Sequence, residues 1–192
     1  MVLEEWHMKY QQEITLKSGE PLLLRSLRTE DAQQALDVCK RTAAETLNLM
    51  RYPDEWRLTL EQEREYIRNM ENGPQSLMLG ALIRGRLVGI GSIAPPSVVD
   101  RVRHRASLGI AIVKSCWGMG IGTAMMQTLI AQAKNTALEQ LELEVVSSNE
   151  TAIRLYERHG FETFARHPRK LKYRDGRYAD MLLMMLDLRK ES

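Results

Sequence analysis

The sequence predicts an α/β (α+β) fold in a single domain, with a mixed central sheet of about six to seven strands flanked by about four helices. Its 192 residues can bury one substantial core but are short for two domains. Of these residues 44% are hydrophobic and 27% are charged, a composition typical of a folded globular protein. Strand-like and helix-like patterns follow one another without a linker or a repeat, so residues 1–192 are expected to form one domain.

Hydrophobic patterning in the first half predicts two hairpins separated by two helices. The dipeptides Ser18-Gly19 and Arg84-Gly85 are turn signals between strands. Thr59 and Gln62 have the spacing of a helix capping box. The predicted elements are strands at 13–17 and 21–27, helices at about 29–49 and 59–70, and strands at 76–83 and 86–94.

The second half predicts a strand–loop–helix–strand unit, then a short helix and a hairpin. Asp175-Gly176 is a strong turn signal before the last strand. The predicted elements are strands at about 106–113 and 141–146 around a helix that ends near 135, a helix at 151–159, and strands that begin at 161 and 178. Because the final strand is long and apolar, we expect a homodimer.

Charge and cysteine content exclude several classes of protein. The net charge of +2 is too small to indicate a nucleic-acid or membrane partner. Cys39 and Cys116 have no paired spacing, which excludes a disulfide framework and a cysteine-rich zinc site and suits a reducing compartment. The polar N-terminus is unlike a signal peptide, and no apolar run approaches about 18 residues. We therefore expect a cytoplasmic protein without a metal site.

Basic residues cluster near the C-terminus. Only Tyr173 and Tyr178 offer rings there on which bases could stack. We interpret the cluster as the solvated face of a hairpin rather than as a phosphate-binding strip. Its members are Arg166, Arg169, Lys170, Lys172, Arg174 and Arg177.

The stretch SCWGMGIGTAMM, residues 115–126, carries the strongest functional signal. A strand that passes through glycines into a helix brings unpaired backbone N–H groups and the positive end of the helix dipole to one point. Gly118, Gly120 and Gly122 lack a Cβ atom that would obstruct a ligand. The glycines alone are compatible equally with a pyrophosphate site and with a tight turn before a closely packed helix.

Two other phosphate-binding motifs fit less well. A P-loop requires Lys before its Ser or Thr, but here Gly122 is followed directly by Thr123. A dinucleotide-binding fingerprint would place its third glycine at that same threonine. Glu142 and Glu144 lie at a suitable distance to bind a ribose, so this second alternative is weakened but not eliminated.

A second segment, LELEVVSSNETAIRLYERHGF at 141–161, decides between the alternatives. Together with IVKSCWGMGIGTAMM at 112–126, it resembles the two cofactor-binding motifs of the GNAT superfamily of acetyl-CoA-dependent N-acetyltransferases. The paired motifs are fairly specific at this separation, and the order of the remaining elements resembles bacterial members. The resemblance implies a GNAT-like fold with a cofactor-binding core at about 106–161 and with acetyl-CoA as co-substrate.

The resemblance also implies cofactor contacts. Ile112 and Val113, at the end of a strand that separates from its neighbour, would pair with the pantetheine amides. Asn149 would bond the pantetheine arm, and it would also be an ordinary helix cap. Relatives often have Gln or Arg at the position of Trp117, so a packing role is favoured for that side chain. The backbone N–H groups expected to hold the pyrophosphate are those of Trp117, Gly118, Met119, Gly120, Ile121, Gly122 and Thr123.

The resemblance further implies that Tyr156 is the general acid that protonates the departing thiolate, although its spacing also suits a core aromatic. The acceptor amine must be neutral to attack, so a base is needed. Relatives often carry a glutamate where this chain has Ser107, which leaves the base unassigned. The remaining candidates are His104, Glu45, Asp54 and Glu55. Cys116 is expected to be a small buried thiol rather than a nucleophile, because no His and acid accompany it.

The function implied by this resemblance is direct transfer of an acetyl group to a primary amine of a small molecule or a protein N-terminus. The alternative from another class is a non-catalytic acyl-CoA-binding sensor, which only Ser107 supports. A third alternative, a nucleotide-dependent oxidoreductase, predicts binding of NAD(P) and has less support.

Overall fold

The structure, a computed structural model, describes residues 8–96 and 99–189. The first seven residues, on which the expectation about a signal peptide partly rests, lie outside them. The strands and helices are β1 (Gln11–Thr15), β2 (Pro21–Ser26), α1 (Ala32–Glu45), α2 (Leu60–Asn72), β3 (Leu77–Ile83), β4 (Arg86–Ala94), β5 (Arg105–Ile112), α3 (Ile121–Lys134), β6 (Gln140–Val146), α4 (Glu150–Arg158), β7 (Glu162–Lys172) and β8 (Tyr178–Asp187).

The strands form one mixed sheet in the order β1-β2-β3-β4-β5-β6-β8-β7. The pair β5–β6 is parallel, and every other neighbouring pair is antiparallel. A parallel pair needs a crossover connection, and α3 provides it. The α/β class is confirmed, but the described residues form eight strands rather than the predicted six to seven.

The parallel pair is unusually short. Residues 105–107 of β5 pair with residues 140–142 of β6, and the two strands then separate. Beyond that point β5 stays paired with β4 as far as Ile112, and β6 stays paired with β8 as far as Val146. Each strand therefore keeps its outer neighbour, and a gap opens in the middle of the sheet.

Helices cover both faces of the sheet. On one face, α3 and α4 pack against the sheet, with Met125, Leu129 and Tyr156 in the core. On the other face, α1 and α2 contribute Ala35 and Ile67 to a second core. Two apolar layers of this kind are what a central sheet with two buried faces requires.

Local signals account for most helix boundaries. The capping box predicted at α2 is confirmed, since the Gln62 N–H donates to Thr59 Oγ1 at 3.2 Å and the Thr59 N–H donates to Gln62 Oε1 at 2.8 Å. The first helix was expected to reach about residue 49, but it ends at Glu45 because Thr46 is extended, with φ −151°. The Thr46 hydroxyl then accepts a hydrogen bond from the Asn48 N–H, which starts a loop.

The C-terminal hairpin is long and irregular. The strand β7, predicted to begin at 161, begins at Glu162 and continues to Lys172 with two register shifts. The apolar strand β8 lies between β6 and β7, so both of its edges are already paired. The length and apolar character of β8, from which a homodimer was expected, are therefore explained by its position inside the sheet.

An ion pair fixes the start of α1 on β2. Asp31 is only 6% exposed, and both of its carboxylate oxygens accept hydrogen bonds from the Arg25 guanidinium, at 2.6 and 2.8 Å. The Arg28 N–H donates to the same carboxylate. Burial by itself would raise the pKa of Asp31, but these hydrogen bonds outweigh it and lower the pKa below its usual value.

Replacing this carboxylate with an amide should destabilise the fold. We expect Asp31→Asn to lower the free energy of unfolding by about 3 kcal/mol at pH 7, because it leaves the Arg25 charge buried without a partner. Since the native pKa of Asp31 is lowered, its stabilisation is present above the ordinary Asp pKa of about 3.9 and is lost as the pH falls through the native value. Urea denaturation at several pH values measures both effects.

The matched control is an ion pair at the surface. Arg84 is 79% exposed where it meets Glu20, so Glu20→Gln should cost less than about 1 kcal/mol. Equal urea midpoints for Asp31→Asn and the unchanged protein would contradict the assigned role of Asp31.

Candidate active site

The gap between β5 and β6 opens into a cleft of about 1100 Å³. Its walls are residues 107–112 of β5 and 142–145 of β6. The glycine loop and α4 line it on one face of the sheet, and the α1–α2 loop lines it on the other face, together with residues of the β7–β8 hairpin. The lining residues of the α1–α2 loop and the hairpin are Thr46, Asn48, Leu49, Met50, Phe164, Met181 and Leu183.

Backbone groups of β5 face the gap in alternation. The Val113 N–H donates to the Val88 carbonyl of β4 at 3.0 Å, so the backbone groups of Ile112 and Ile110 point the other way, into the gap. Val113 is also buried and does not line the cleft. The role expected of Val113 is therefore wrong, because its N–H is already bonded. The strand end that faces the gap consists of Ile110 and Ile112.

Trp117 contacts that strand end directly. Its indole N–H donates to the Ile112 carbonyl at 2.7 Å, and its ring is about half exposed at the cleft. The Lys114 ammonium lies 6.0 Å from the centre of the ring. Trp117 therefore donates a side-chain hydrogen bond to the end of β5. The sequence alone had favoured only a packing role for this side chain.

The three glycines serve two different purposes. Gly118 and Gly120 have φ values of +76° and +87°, which side chains rarely adopt, and a Cβ on either would meet nothing within 4 Å. Gly122 lies within α3, where a Cβ would come 3.2 Å from Leu155 Cδ2 and 3.5 Å from Ile112 Cδ1. Two glycines thus form an open turn, and the third permits close packing of α3 against its neighbours.

The start of α3 presents backbone donors to the cleft. The first bond from the helix interior runs from the Ala124 N–H to the Gly120 carbonyl, so the N–H groups before it have no partner inside the helix. Ile121, Gly122 and Thr123 all line the cleft. Met119, by contrast, packs against the core and does not line the cleft. Such a helix N-terminus, with the positive end of its dipole, suits a phosphate-bearing ligand.

The helix α4 brings two further predicted residues to the cleft. Asn149 Oδ1 accepts from the Ala152 N–H at 3.4 Å and caps α4, while Asn149 still lines the cleft. Tyr156 is 8% exposed and packs 6.1 Å, centre to centre, from the Phe161 ring. Burial raises the pKa of Tyr156 to about 12, so its hydroxyl is protonated throughout the neutral range.

The candidate bases from the sequence do not line the cleft. Glu45 accepts from the Lys114 N–H at 2.6 Å and from Arg41 Nε at 2.8 Å. Burial acts to raise the pKa of Glu45, but these hydrogen bonds lower it overall. Glu45 therefore ties the end of α1 to the glycine loop. His104 precedes β5, at the end of the strand opposite the loop, and its carbonyl accepts from two backbone N–H groups.

The acids of the α1–α2 loop have other partners. Arg174 of the β7–β8 hairpin binds both carboxylate oxygens of Asp54, at 2.9 and 2.7 Å, and its side chain lies 4.0 Å from the centre of the Tyr52 ring. Its backbone N–H donates to the Tyr52 hydroxyl. Glu55 accepts from the Tyr52 N–H within the loop. We call Tyr52, Asp54 and Arg174 the clasp, because they join the α1–α2 loop to the β7–β8 hairpin.

Two acids that the sequence did not single out as bases face the cleft. Glu142 and Glu144 alternate along β6 with the buried side chains of Leu141, Leu143 and Val145. Both acids, together with Ser107 of β5, line the cleft on the face covered by α1 and α2. The signal was present in the sequence, since alternation of Leu and Glu along a strand predicts acids on one face.

Cys116 lines the cleft, with its Sγ 3.9 Å from Ser115 Oγ. Cys39 lies elsewhere, and burial raises the pKa of its thiol to about 12. Within residues 8–96 and 99–189, no three His, Cys, Asp or Glu side chains are grouped to hold a metal ion. In the same part of the chain, no helix is both long enough and apolar enough to cross a membrane.

A sheet that opens between two parallel strands onto a helix N-terminus is suited to an extended, phosphate-bearing ligand. Comparison with known families identifies the class of protein. Residues 41–161 match the acetyltransferase (GNAT) family, and the chain belongs to that family. It is an acetyltransferase that uses acetyl-CoA, as the resemblance of its motifs implied.

Individual relatives agree with this assignment. The L-amino acid N-acetyltransferase AaaT of Escherichia coli (strain K12) is 32% identical over 114 residues, which cover 58% of this chain and 68% of the relative. A GNAT-family acetyltransferase from Streptococcus pneumoniae superposes with a TM-score of 0.82 at 28% identity, over 85% of this chain and 98% of that one. The fold is also that of yncA, a putative acetyltransferase from Salmonella typhimurium solved with its cofactor acetyl-CoA, with a TM-score of 0.78 at 18% identity over 89% and 96% of the two chains.

Substitution of Gly120 tests the loop. A Cβ at this left-handed position would occupy the open space beside the helix N-terminus. We expect Gly120→Ala to lower the affinity for acetyl-CoA at least tenfold, or about 1.4 kcal/mol, measured by calorimetry. The strained backbone should also lower the free energy of unfolding by about 1–2 kcal/mol.

Gly19 provides the matched control. Its φ is +84° and a Cβ there would also meet nothing within 4 Å, but it lies in the β1–β2 turn. Gly19→Ala should cause a similar loss of stability without a loss of affinity. Equal acetyl-CoA affinities for the two variants would show that the loop does not hold the cofactor.

Proposed function

We propose that this enzyme transfers the acetyl group of acetyl-CoA to the primary amine of a small molecule, and that an L-amino acid is the first class of acceptor to test. The observation that carries the proposal is the clasp, which joins two of the segments that line the cleft. The name of the Escherichia coli relative, an L-amino acid N-acetyltransferase, supports the choice of acceptor.

The clasp argues for a small acceptor rather than a protein N-terminus. An extended peptide needs a groove that stays open where the chain leaves the site. Here the α1–α2 loop and the β7–β8 hairpin, which both line the cleft, are joined through Asp54, Tyr52 and Arg174, and the Tyr173 hydroxyl reaches the Leu47 carbonyl at 3.4 Å. Segments joined in this way obstruct the path that an extended peptide would need between them, which favours a small acceptor.

The acids in the cleft support a cationic acceptor. Glu142 and Glu144 line the cleft and give it negative charge. A primary amine with a pKa near about 10 is positively charged at neutral pH and is attracted to such a site. The amine then has to lose a proton before it can attack the thioester.

In the same proposal, the cofactor lies along the gap. The pantetheine arm pairs with the backbone of Ile110 and Ile112, and Asn149 contacts it from the start of α4. The pyrophosphate is held at the glycine loop and the start of α3 by residues of the segment 117–123, namely Trp117, Gly118, Gly120, Ile121, Gly122 and Thr123. The Met119 N–H, expected from the sequence to join them, remains part of the proposal although its side chain faces the core.

Three broader expectations remain predictions. One domain spans residues 1–192, and the described parts share a single sheet, which supports it. A cytoplasmic location is supported by two unpaired cysteines. The homodimer would have to form without β8, whose edges are covered, and sedimentation velocity would test it.

A panel of amines tests the acceptor. Thiol release from acetyl-CoA should occur with L-amino acids or other small primary amines, and kcat/KM for short peptides with free N-termini should be at least tenfold lower, or about 1.4 kcal/mol. Opening the clasp with Arg174→Ala should narrow this difference by raising kcat/KM for peptides.

Arg177→Ala is the control, because Arg177 belongs to the same hairpin but pairs with Asp175 inside it. Arg177→Ala should leave the ratio of kcat/KM for small amines to kcat/KM for peptides unchanged. Peptides that outperform every small amine would contradict the proposal. Binding of acetyl-CoA without thiol release for any amine would favour the non-catalytic sensor instead.

Tyr156 is proposed to protonate the departing thiolate. A hydroxyl with a pKa of about 12 is fully protonated at neutral pH, as a proton donor must be. We expect Tyr156→Phe to lower kcat about 10²-fold, with little change in the KM for acetyl-CoA, in steady-state thiol-release assays. Tyr66→Phe, which alters an exposed tyrosine of α2, is the control, and an unchanged kcat in Tyr156→Phe would remove this role.

A further inference from the structure

We propose that Glu142 is the carboxylate that accepts the proton of the acceptor amine, and that Arg105 and Gln140 position it. The inference rests on the proposed acetyl transfer to an amine. It fills the role for which the sequence offered Glu45, Asp54, Glu55 and His104, residues that the structure places outside the cleft.

The position of Glu142 in the sheet is the first argument. It pairs with Ser107 at the last rung before β5 and β6 separate, so the two side chains are neighbours at the closed end of the gap. Both residues line the cleft and face the side covered by α1 and α2. A serine hydroxyl is a poor proton acceptor, whereas a carboxylate is the usual side chain for that task. Glu142 is the carboxylate that pairs with Ser107 on this rung.

The hydrogen bonds of Glu142 are the second argument. Arg105 Nη1 donates at 3.0 Å and Gln140 Nε2 donates at 2.7 Å, and both bonds go to Oε1. Two donors on one oxygen fix the direction of the carboxylate and leave Oε2 for another partner. The side chain is 26% exposed, so Oε2 can reach the amine directly or through a water molecule.

The other acids of the cleft are less suited to this role. Glu144 lies two residues further along the same face, but its side chain is 38% exposed and faces the Lys170 ammonium at 3.7 Å. Glu150 is 74% exposed and pairs with Arg154 one turn along α4. Of the acids that line the cleft, Glu142 alone is anchored through one oxygen by two separate side chains.

The step balances without any further reactant. The ammonium form of the acceptor gives one proton to the Glu142 carboxylate, which becomes a carboxylic acid, and the amine becomes neutral. The nitrogen then forms a bond to the thioester carbonyl carbon, and the carbon–sulfur bond breaks. Tyr156 gives its proton to the departing sulfur, and the second proton that leaves the nitrogen restores the Tyr156 hydroxyl. Finally, Glu142 releases its proton to solvent.

Glu142→Gln tests the proposal, because the amide oxygen can still accept from Arg105 and Gln140 while the side chain can no longer take a proton. We expect kcat to fall about 10²-fold at pH 7, with an unchanged KM for acetyl-CoA. The deficit should shrink about tenfold for each pH unit as the pH rises towards the amine pKa of about 10, because the amine then loses its proton to solvent. Thiol release over pH 6–10 measures both quantities.

Glu144→Gln is the comparison variant on the same strand and face. It should raise the KM for the amine, because it removes one of the two charges that attract it, but the pH dependence of kcat should stay that of the unchanged enzyme. Arg105→Gln should lower kcat with a smaller change in the pH dependence, because the carboxylate remains but is less well oriented. A wild-type kcat and pH profile for Glu142→Gln would overturn the proposal, and so would a larger loss in Glu144→Gln. If the unchanged enzyme releases no thiol with any amine, the proposed function fails. If it does release thiol, the variants test the role of Glu142 alone.

Discussion

The structure depends on one interruption in the sheet, namely the end of parallel pairing between β5 and β6 after residues 107 and 142. Beyond these residues β5 is bonded to β4 and β6 to β8. The gap could close only if β4 moved together with β5 and β8 moved together with β6. The gap therefore leaves the inner edges of both strands available to a ligand.

The glycine loop is held at this gap from both faces of the sheet. From one side, Gly122 allows α3 to approach Leu155 of α4 and Ile112 of β5 closely. From the other, Glu45 binds the Lys114 N–H and Arg41 Nη2 donates to Ser115 Oγ at 3.1 Å. The same end of α1 leads into the α1–α2 loop, which also lines the cleft. One helix terminus therefore contacts the glycine loop and also fixes the start of a second segment of the cleft wall.

Local features of the sequence were predictable because their causes are local. Thr59 caps α2, as its spacing from Gln62 predicted. Gly118 and Gly120, the residues by which the loop was recognised in the sequence, adopt left-handed conformations. The failures have non-local causes. The Val113 N–H is already bonded to the Val88 carbonyl of β4. The Glu45 carboxylate accepts a hydrogen bond from the Lys114 N–H, 69 residues away in sequence. The clasp depends on Arg174 meeting Asp54 across 120 residues, which no spacing in the sequence reveals.

The register of β5 and β6 also explains how a carboxylate can be present in the cleft although position 107 is a serine: Glu142 of β6 pairs with Ser107 of β5. Residues on the same rung of a sheet are about 4.8 Å apart and point to the same face. A carboxylate moved from β5 to the paired position of β6 is therefore displaced by roughly one strand spacing, which a single water molecule can bridge. Because Ser107 and Glu142 occupy the last paired rung, the displacement stays within the cleft. In the proposed mechanism, Glu142 of the neighbouring strand therefore takes the role that an acid at position 107 would have.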